Sequence, residues 1–300
     1  MRQFTYAGAS PRVVFGAGAV ARLAEEIDRL GAKRALLLVT PGRSANVRAR
    51  LTGLGERLVG TYDNAVMHVP VEIAVDARRV AEELRADCCI AWGGGSTIGL
   101  GKAIALTSGL PVIAVPTTYS GSEMTAVLGM TEGGAKKTQR DPRVLPKTVV
   151  YDPELTLGLP AATSAASGMN AIAHCVEALY AHDANPVSTL LAEEGIRAIG
   201  NALPRVWLHP PTSMRGAKRC TAPGLPARPS QRRASGCITS CATCWAARST
   251  CRTPRRTRSC CRTRLATTAM QRPMRCAGSR ERSTRRTLRP RSMSSRRSSA

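Results

Sequence analysis

The feature that most constrains this chain is an abrupt change in composition at about Met214. Residues 1–213 carry 21 Lys and Arg against 19 Asp and Glu, whereas residues 214–300 carry 23 basic residues and one acid, Glu281. The last 87 residues also hold eight of the eleven Cys and none of the four His. The first part is long enough to bury a sizeable core, whereas the second does not have the composition of a folded domain.

The composition of residues 214–300 is typical of a GC-rich gene translated in the wrong reading frame, where Arg, Ser, Thr, Cys, Pro and Ala dominate. Codons for the residues from Cys237 onward can be chosen so that the same bases, read two bases later, give HHKLCHVLGGTFNLPHAETH. That string is rich in His and helix-like. We therefore expect a frameshift near residue 214, followed by an out-of-frame, disordered tail.

Two other interpretations of this tail stay open. Its charge suits a nucleic-acid arm, although it has no aromatic residue beyond Trp245. Cys237, Cys241 and Cys244 are spaced like metal ligands, but a zinc site needs a correctly spaced fourth Cys or His, which is missing.

Residues 1–158 alternate short apolar runs with helical patterns, which predicts an α/β fold with a parallel sheet and right-handed crossovers. Strands are expected near residues 13–15, 35–39, 59–65, 88–92 and 111–115, and helices near 19–30, 45–54, 72–85 and 96–107. Helical patterns follow at 167–181 and 186–202. We therefore expect a nucleotide-binding domain over 1–158, the start of an all-helical domain over 159–213, and scrambled sequence from 214 to 300.

The sequence has no apolar stretch long enough for a transmembrane helix, and its N-terminus lacks the apolar centre of a signal peptide. These features predict a cytoplasmic protein without a membrane partner, whose thiols stay reduced. Cys88, Cys89 and Cys175 stand in apolar contexts and are expected to be buried and inert.

The turn Gly93-Gly94-Gly95-Ser96 lies between a predicted buried strand and a helix. Consecutive glycines let a backbone approach an anion closely, and a helix start adds free N–H groups and positive dipole. Ser96 is placed to cap the helix and to donate to a phosphate. The turn is therefore predicted to hold a pyrophosphate, in preference to being a plain tight turn.

A second glycine motif, residues 16–21, fits the dinucleotide fingerprint G-x-G-x-x-A. No acid follows at the end of the next strand, where Thr40 stands. We interpret this motif as close packing of a strand on a helix.

Hydroxyl side chains cluster after the predicted strand at 111–115. Ligands of parallel sheets bind at the carboxyl ends of strands, so this loop is expected to contact a cofactor, although Ser and Thr also cap turns. Its hydroxyls belong to Thr117, Thr118, Ser120, Ser122 and Thr125.

Asn170 and His174 are four residues apart on a predicted helix, so they share a face. Their side chains are therefore suited to contact the same ligand in one small site. A structural, hydrogen-bonding His remains an equal alternative.

These segments together resemble the iron-containing alcohol dehydrogenase superfamily and, within it, the maleylacetate reductase branch. The similar segments are residues 15–18, 92–97, 116–125, 141–146, 151–156 and 167–174. The restored-frame string also resembles the later His-bearing helix of the family. The resemblance covers about residues 1–213.

The resemblance implies a nucleotide-binding domain and a helical domain with the active site between them, and a homodimer for the intact protein. NADH or NADPH is the implied cofactor, its phosphates held at Gly94, Gly95, Ser96, Thr97 and Ile98. Thr117, Thr118, Thr125 and Leu155 match other cofactor positions. Either Lys136 or Lys137 matches a basic cofactor contact.

Three departures separate the chain from metal-dependent members, which carry Asp at the positions of Asn170 and Gly99 and Ala at that of Gly101. A neutral amide is a poor ligand for a hard divalent cation. The resemblance therefore implies an enzyme with no metal ligands among these residues and no metal requirement.

The implied reaction is NAD(P)H-dependent reduction of maleylacetate to 3-oxoadipate in the breakdown of aromatic compounds. His174 as an acid and Asn170 as an amide donor are the candidate catalytic residues. The chain as written is expected to be inactive. The alternatives are a metal-dependent alcohol or polyol dehydrogenase and, in another class, a basic nucleic-acid-binding protein.

Overall fold

A computed structural model describes residues 3–4, 6 and 11–208 of the chain. The expectations placed on residues 214–300, namely the frameshift, the nucleic-acid arm and the zinc cysteines, lie outside the described residues. Among those residues, no helix combines the length and apolar character needed to span a membrane.

The strands of the described part are β1 (Arg12–Phe15), β2 (Ala35–Leu38), β3 (Leu58–Tyr62), β4 (Cys88–Gly93), β5 (Val112–Pro116), β6 (Val127–Glu132), β7 (Ala135–Arg140) and β8 (Thr148–Tyr151). Six of them form a parallel sheet in the order β1-β8-β5-β4-β2-β3, and β6 and β7 pair as an antiparallel hairpin. The parallel α/β sheet predicted from the sequence is confirmed.

The α-helices of the described part are α1 (Leu23–Arg29), α2 (Ser44–Arg48), α3 (Val71–Glu83), α4 (Gly95–Ser108), α5 (Ala161–Tyr180) and α6 (Pro186–Leu208). Two of the expected helices are shorter than the apolar periodicity suggests. Residues Ala19–Arg22 form a 3-10 turn before α1, and Thr52–Arg57 form a 3-10 segment after α2. Gly55, at φ 51°, interrupts that second segment.

Strands β2, β4 and β5 are buried along their whole length, as continuous apolar runs predict for parallel strands covered on both faces. Helix α4 is buried from Thr97 to Ala105, and the residues of this stretch are apolar apart from Thr97 and Lys102. It ends at Gly109, whose φ of 71° closes the helix in the left-handed conformation. The sheet centre and α4 thus give the turn between them a rigid support. Cys88, Cys89 and Cys175 are buried, as expected.

The β6–β7 hairpin was not expected from the sequence. Its second strand is exposed throughout and reads AKKTQR, without the apolar alternation that marks a half-buried strand. The connecting residues Gly133 and Gly134 have φ values of 54° and 77°, as a tight hairpin turn requires. This pair of glycines is the sequence feature that could have indicated the hairpin.

Helices α5 and α6 form a closely packed antiparallel pair. A Cβ atom on Gly168 would lie 2.5 Å from Leu203 Cδ2, and one on Gly195 would lie 2.8 Å from Cys175 Sγ. Small residues therefore let the two backbones approach. The predicted domain boundary near residue 158 falls between β8 and α5 and remains a prediction.

Candidate active site

The carboxyl ends of β4 and β5 bring the glycine turn and the hydroxyl loop together. Gly93 and Pro116 are partners in the parallel register. The Thr117 amide donates to the Gly93 carbonyl at 2.9 Å. The two motifs predicted from the sequence therefore meet at one edge of the sheet, where ligands of open α/β sheets bind.

The first turn of α4 presents backbone N–H groups at this edge. The N-cap is Gly94, and no side chain caps the helix. The expectation that Ser96 caps it was wrong, because the glycines let the helix begin at Gly95 and place Ser96 inside its first turn. First-turn amides have no intrahelical acceptor, so those of residues 95–97 are available to donate to a ligand.

Ile98 differs from its neighbours in the turn. Its amide already donates to the Gly94 carbonyl at 3.1 Å, and its side chain is fully buried in the core. Its assignment to the cofactor stays a prediction.

The glycines are required by close contacts inside the turn. A Cβ atom on Gly93 would lie 2.4 Å from Thr97 Oγ1, and one on Gly94 would lie 3.0 Å from Thr118 Oγ1. A side chain at either position would press against one of these threonines. Thr97 is fully buried, and its hydroxyl has no hydrogen-bond partner among the described residues. An orphaned hydroxyl beside free amides fits a phosphate-bearing ligand.

The two remaining cofactor candidates are held differently. Thr125 is almost fully buried, and its hydroxyl donates to the Ser122 carbonyl at 3.1 Å. Leu155 lies in the 3-10 segment after β8 and packs, partly buried, against the core cluster on the face of the sheet that α1 and α2 cover. Their assignment to the cofactor also remains a prediction.

The second glycine motif does not belong to this turn. Gly16, at the end of β1, donates its amide to the Tyr151 carbonyl at 3.1 Å. The motif therefore packs β1 and the following 3-10 turn against β8. A Cβ atom on Gly16 or Gly18 would meet nothing within 4 Å, so the close packing of a strand on a helix that we expected for this motif is not observed.

A cavity of about 380 Å³ adjoins the glycine turn. Three parts of the chain form its walls: residues 67–69 after β3, the first turns of α4, and the hairpin with the loop before it. Lys136 lines the cavity, whereas Lys137 forms an ion pair with Glu132 along the hairpin. The cavity therefore favours Lys136 as the basic contact that the sequence left open.

A buried charged group behind the cavity was missed in the sequence. Lys102, on α4, is fully buried, and so is Glu123, which accepts a hydrogen bond of 2.8 Å from the Tyr151 hydroxyl. Burial lowers the pKa of Lys102 to about 7, while the charge of Glu123 opposes this shift. Burial raises the pKa of Glu123. The available signal was a lone Lys in an otherwise apolar helix.

Helix α5 contacts the hydroxyl loop through one hydrogen bond, in which the Tyr119 amide donates to Ser167 Oγ at 3.1 Å. His174 lies two turns further along α5, with its Nδ1 3.6 Å from Glu177 Oε2. Burial lowers the pKa of His174, and Glu177 opposes that shift. Asn170 and His174 do not line the cavity, and the pairing with Glu177 was not foreseen.

Two family sequence profiles match the chain. The profile described as iron-containing alcohol dehydrogenase matches residues 10–153. The C-terminal profile of the Fe-containing alcohol dehydrogenase family matches residues 164–215. Together they cover more than half of the 300 residues. The chain belongs to the iron-containing alcohol dehydrogenase family.

Relatives within this family carry one recurring name. The chain is 58% identical over 210 residues to a maleylacetate reductase of Burkholderia cepacia, covering 70% of this chain and 60% of that protein. It is 53% identical over 208 residues to one of Sphingobium indicum, covering 69% and 59%. The chain thus spans about three fifths of the length of these curated relatives.

Solved structures agree with this fold. The crystal structure of maleylacetate reductase from Agrobacterium tumefaciens superposes with a TM-score of 0.72 at 45% identity, covering 82% of this chain and 66% of that chain. The family assignment and the parallel α/β fold therefore rest on both sequence and structure.

The family name implies iron. No group of three His, Cys, Asp or Glu side chains comes together among residues 11–208. The α5 pair offers one imidazole and one neutral amide, a poor ligand set for a hard cation. The described residues alone therefore do not make up an iron site, and the absence of a metal requirement stays a prediction.

Proposed function

We propose that the chain derives from an NAD(P)H-dependent maleylacetate reductase, a cytoplasmic and homodimeric enzyme that converts maleylacetate to 3-oxoadipate. The support is the 58% identity to a protein of that name, together with the glycine turn that a Cβ atom would fill. The turn is the single structural observation on which the proposal depends.

The proposed cofactor is NADH or NADPH, which supplies a hydride. In this proposal the amides of Gly95, Ser96 and Thr97 bind its diphosphate, and the positive end of the α4 dipole stabilises the charge. Thr118 borders Gly94 closely, so its hydroxyl is within reach of the same phosphates. The apolar core behind the turn keeps this anchor rigid.

Hydride addition to the conjugated double bond places negative charge on the substrate oxygen, which must be stabilised. We assign this task to Asn170 as an amide donor and His174 as an acid. Helix α5 already contacts the hydroxyl loop through Ser167, one turn before Asn170. This placement supports the assignment.

The proposal includes a restored reading frame after about residue 213. The second profile match ends at residue 215, where the composition changes. Helices α5 and α6 expose large apolar side chains: Met169, Val176, Tyr180, Leu190 and Trp207. Such a surface is typical of a face that further structure covers. In this proposal the remaining helical domain covers it.

The test compares two proteins, the 300-residue chain and a version in which the frame is restored after residue 213. NADH consumption is followed at 340 nm with maleylacetate, after treatment with a chelator and again after addition of Fe²⁺ or Zn²⁺. We expect activity only from the restored protein and no dependence on metal. Activity that appears only with metal, and with simple alcohols, would favour an alcohol dehydrogenase.

A further inference from the structure

The loop between β3 and α3 holds two consecutive residues in a backbone conformation that side chains rarely adopt. His68 has a φ of 67° and Val69 a φ of 46°. For a β-branched residue such as Val69 this is a true outlier. Left-handed residues other than glycine persist only where their surroundings hold them, and they cluster at ligand clamps.

Two kinds of contact hold this loop in place. The Thr131 amide donates to the Val69 carbonyl at 3.1 Å, and the Thr131 hydroxyl donates to the His68 carbonyl at 3.1 Å. The Val69 side chain is buried and lies against α4, where a Cβ atom on Gly99 would come within 2.8 Å of Val69 Cγ2. The loop therefore rests in a notch that exists because residue 99 is glycine.

The notch has a consequence for the cavity beside the glycine turn. Because Val69 is buried there, the exposed His68 lies on the cavity wall. Lys136, Ser96 and Ser122 line the same cavity, and no Asp or Glu of the described residues does. A lining with a Lys, a His and two Ser suits anionic oxygens.

We propose that His68 is an anion-binding residue of this cavity, positioned by the seating of Val69 on Gly99. This inference rests on the proposed function for the identity of its ligand, which is either a carboxylate of the dicarboxylate substrate or a phosphate of the cofactor. Both ligands present the same chemistry to His68 and Lys136. Gly99 thereby gains a role as a positioning residue.

The experiment uses the 300-residue chain and three probes: adipate as an unreactive six-carbon dicarboxylate, inorganic phosphate, and NADH. Adipate and phosphate binding are measured by calorimetry, and NADH binding by fluorescence. His68→Ala is expected to weaken the binding of one of these two anions roughly tenfold, as loss of a hydrogen bond to a charged group does. His182→Ala, at an exposed His outside the cavity, is the matched control.

The three binding measurements distinguish a substrate carboxylate from a cofactor phosphate as the ligand of His68. Weaker adipate binding with unchanged NADH binding assigns His68 to the substrate, and weaker phosphate and NADH binding assigns it to the cofactor. Unchanged binding of all three probes would overturn the inference, and so would failure of the unaltered chain to bind either adipate or phosphate. A frame-restored protein that binds adipate but not NADH would refute the proposed function and leave the anion-binding role of His68 in place.

The positioning role has its own test. Gly99→Ala should push Val69 out of the notch and reproduce the binding loss of His68→Ala. The double variant Val69→Ala/Gly99→Ala removes the clashing methyl groups and should bind more tightly than Gly99→Ala alone. Hydrogen exchange at the Thr131 amide, which bonds to the Val69 carbonyl, should be faster in Gly99→Ala only. Equal behaviour of the single and double variants would contradict the role.

Discussion

The Nζ atom of Lys102 donates a hydrogen bond of 3.0 Å to Oγ1 of Thr125. Nζ also donates to the carbonyl oxygens of Ser122 and Val127. Three acceptors require three N–H groups, which only the ammonium form has. We therefore infer that Lys102 carries its charge despite the burial that lowers its pKa, and that it ties the helix of the glycine turn to the loop along the cavity.

Lys102→Met should cost about 3 kcal/mol or more of unfolding free energy, because it leaves the carbonyl oxygens of Ser122 and Val127 without their donor. It also removes the cation whose charge acts on the buried Glu123. The double variant Lys102→Met/Glu123→Gln should cost less than the two single variants added together. Urea denaturation measures all three. Ile104→Val, on the same helix, is the packing control, at about 1 kcal/mol. Strict additivity of the single effects would mean that the two charges are not coupled.

Gly94→Ala should weaken NADH binding about tenfold, or about 1.4 kcal/mol, with little loss of stability. The φ of Gly94 is −92°, so the backbone accepts alanine and the effect comes from the methyl group beside Thr118. Fluorescence titration gives the affinity. Gly200→Ala, where a Cβ atom meets nothing within 4 Å, should leave the affinity unchanged. Equal affinities for the two variants would argue against the turn as the diphosphate site.

The stability of the folded chain should fall as the pH drops below about 6.5, the usual pKa of His. Burial lowers the pKa of His174 in the folded state, so the unfolded chain binds the extra proton first. Stability from this residue is present above the unfolded pKa and is lost as the pH falls through the folded one. As the pH falls below about 6.5, the Tm of His174→Gln should decline less than the Tm of the unaltered chain. A parallel decline in both proteins would show that His174 is not desolvated in solution.

The 300-residue chain should self-associate through the exposed face of α5 and α6. Trp207 is 56% exposed and Leu190 is 67% exposed on this helix pair. Replacing both by Glu should reduce the aggregate fraction in light scattering, because exposed apolar patches drive association. The frame-restored protein should not aggregate even without these substitutions. If the two substitutions leave the aggregate fraction unchanged, the chain associates through a different surface.

The sequence predicted the parallel sheet and the meeting of the glycine turn with the hydroxyl loop, because buried strands are apolar runs and their carboxyl ends share one edge. It did not predict the contacts that depend on distant segments. The Val69–Gly99 notch joins residues thirty positions apart, and the Lys102–Thr125 bond joins a helix to a later loop. Neither leaves a periodic signal. The sequence placed the start of α4 at Ser96 because Ser is a preferred capping residue. The helix begins one residue earlier, at Gly95, with Gly94 as its N-cap.

The most direct test of the central claim is the stoichiometry of NADH oxidation by the purified, folded, frame-restored protein in the presence of maleylacetate. We predict one NADH consumed for each 3-oxoadipate formed, and at least a tenfold loss of kcat/KM for NADH in Gly94→Ala, or about 1.4 kcal/mol. A folded, frame-restored protein that binds no NADH and leaves maleylacetate unchanged would contradict the account.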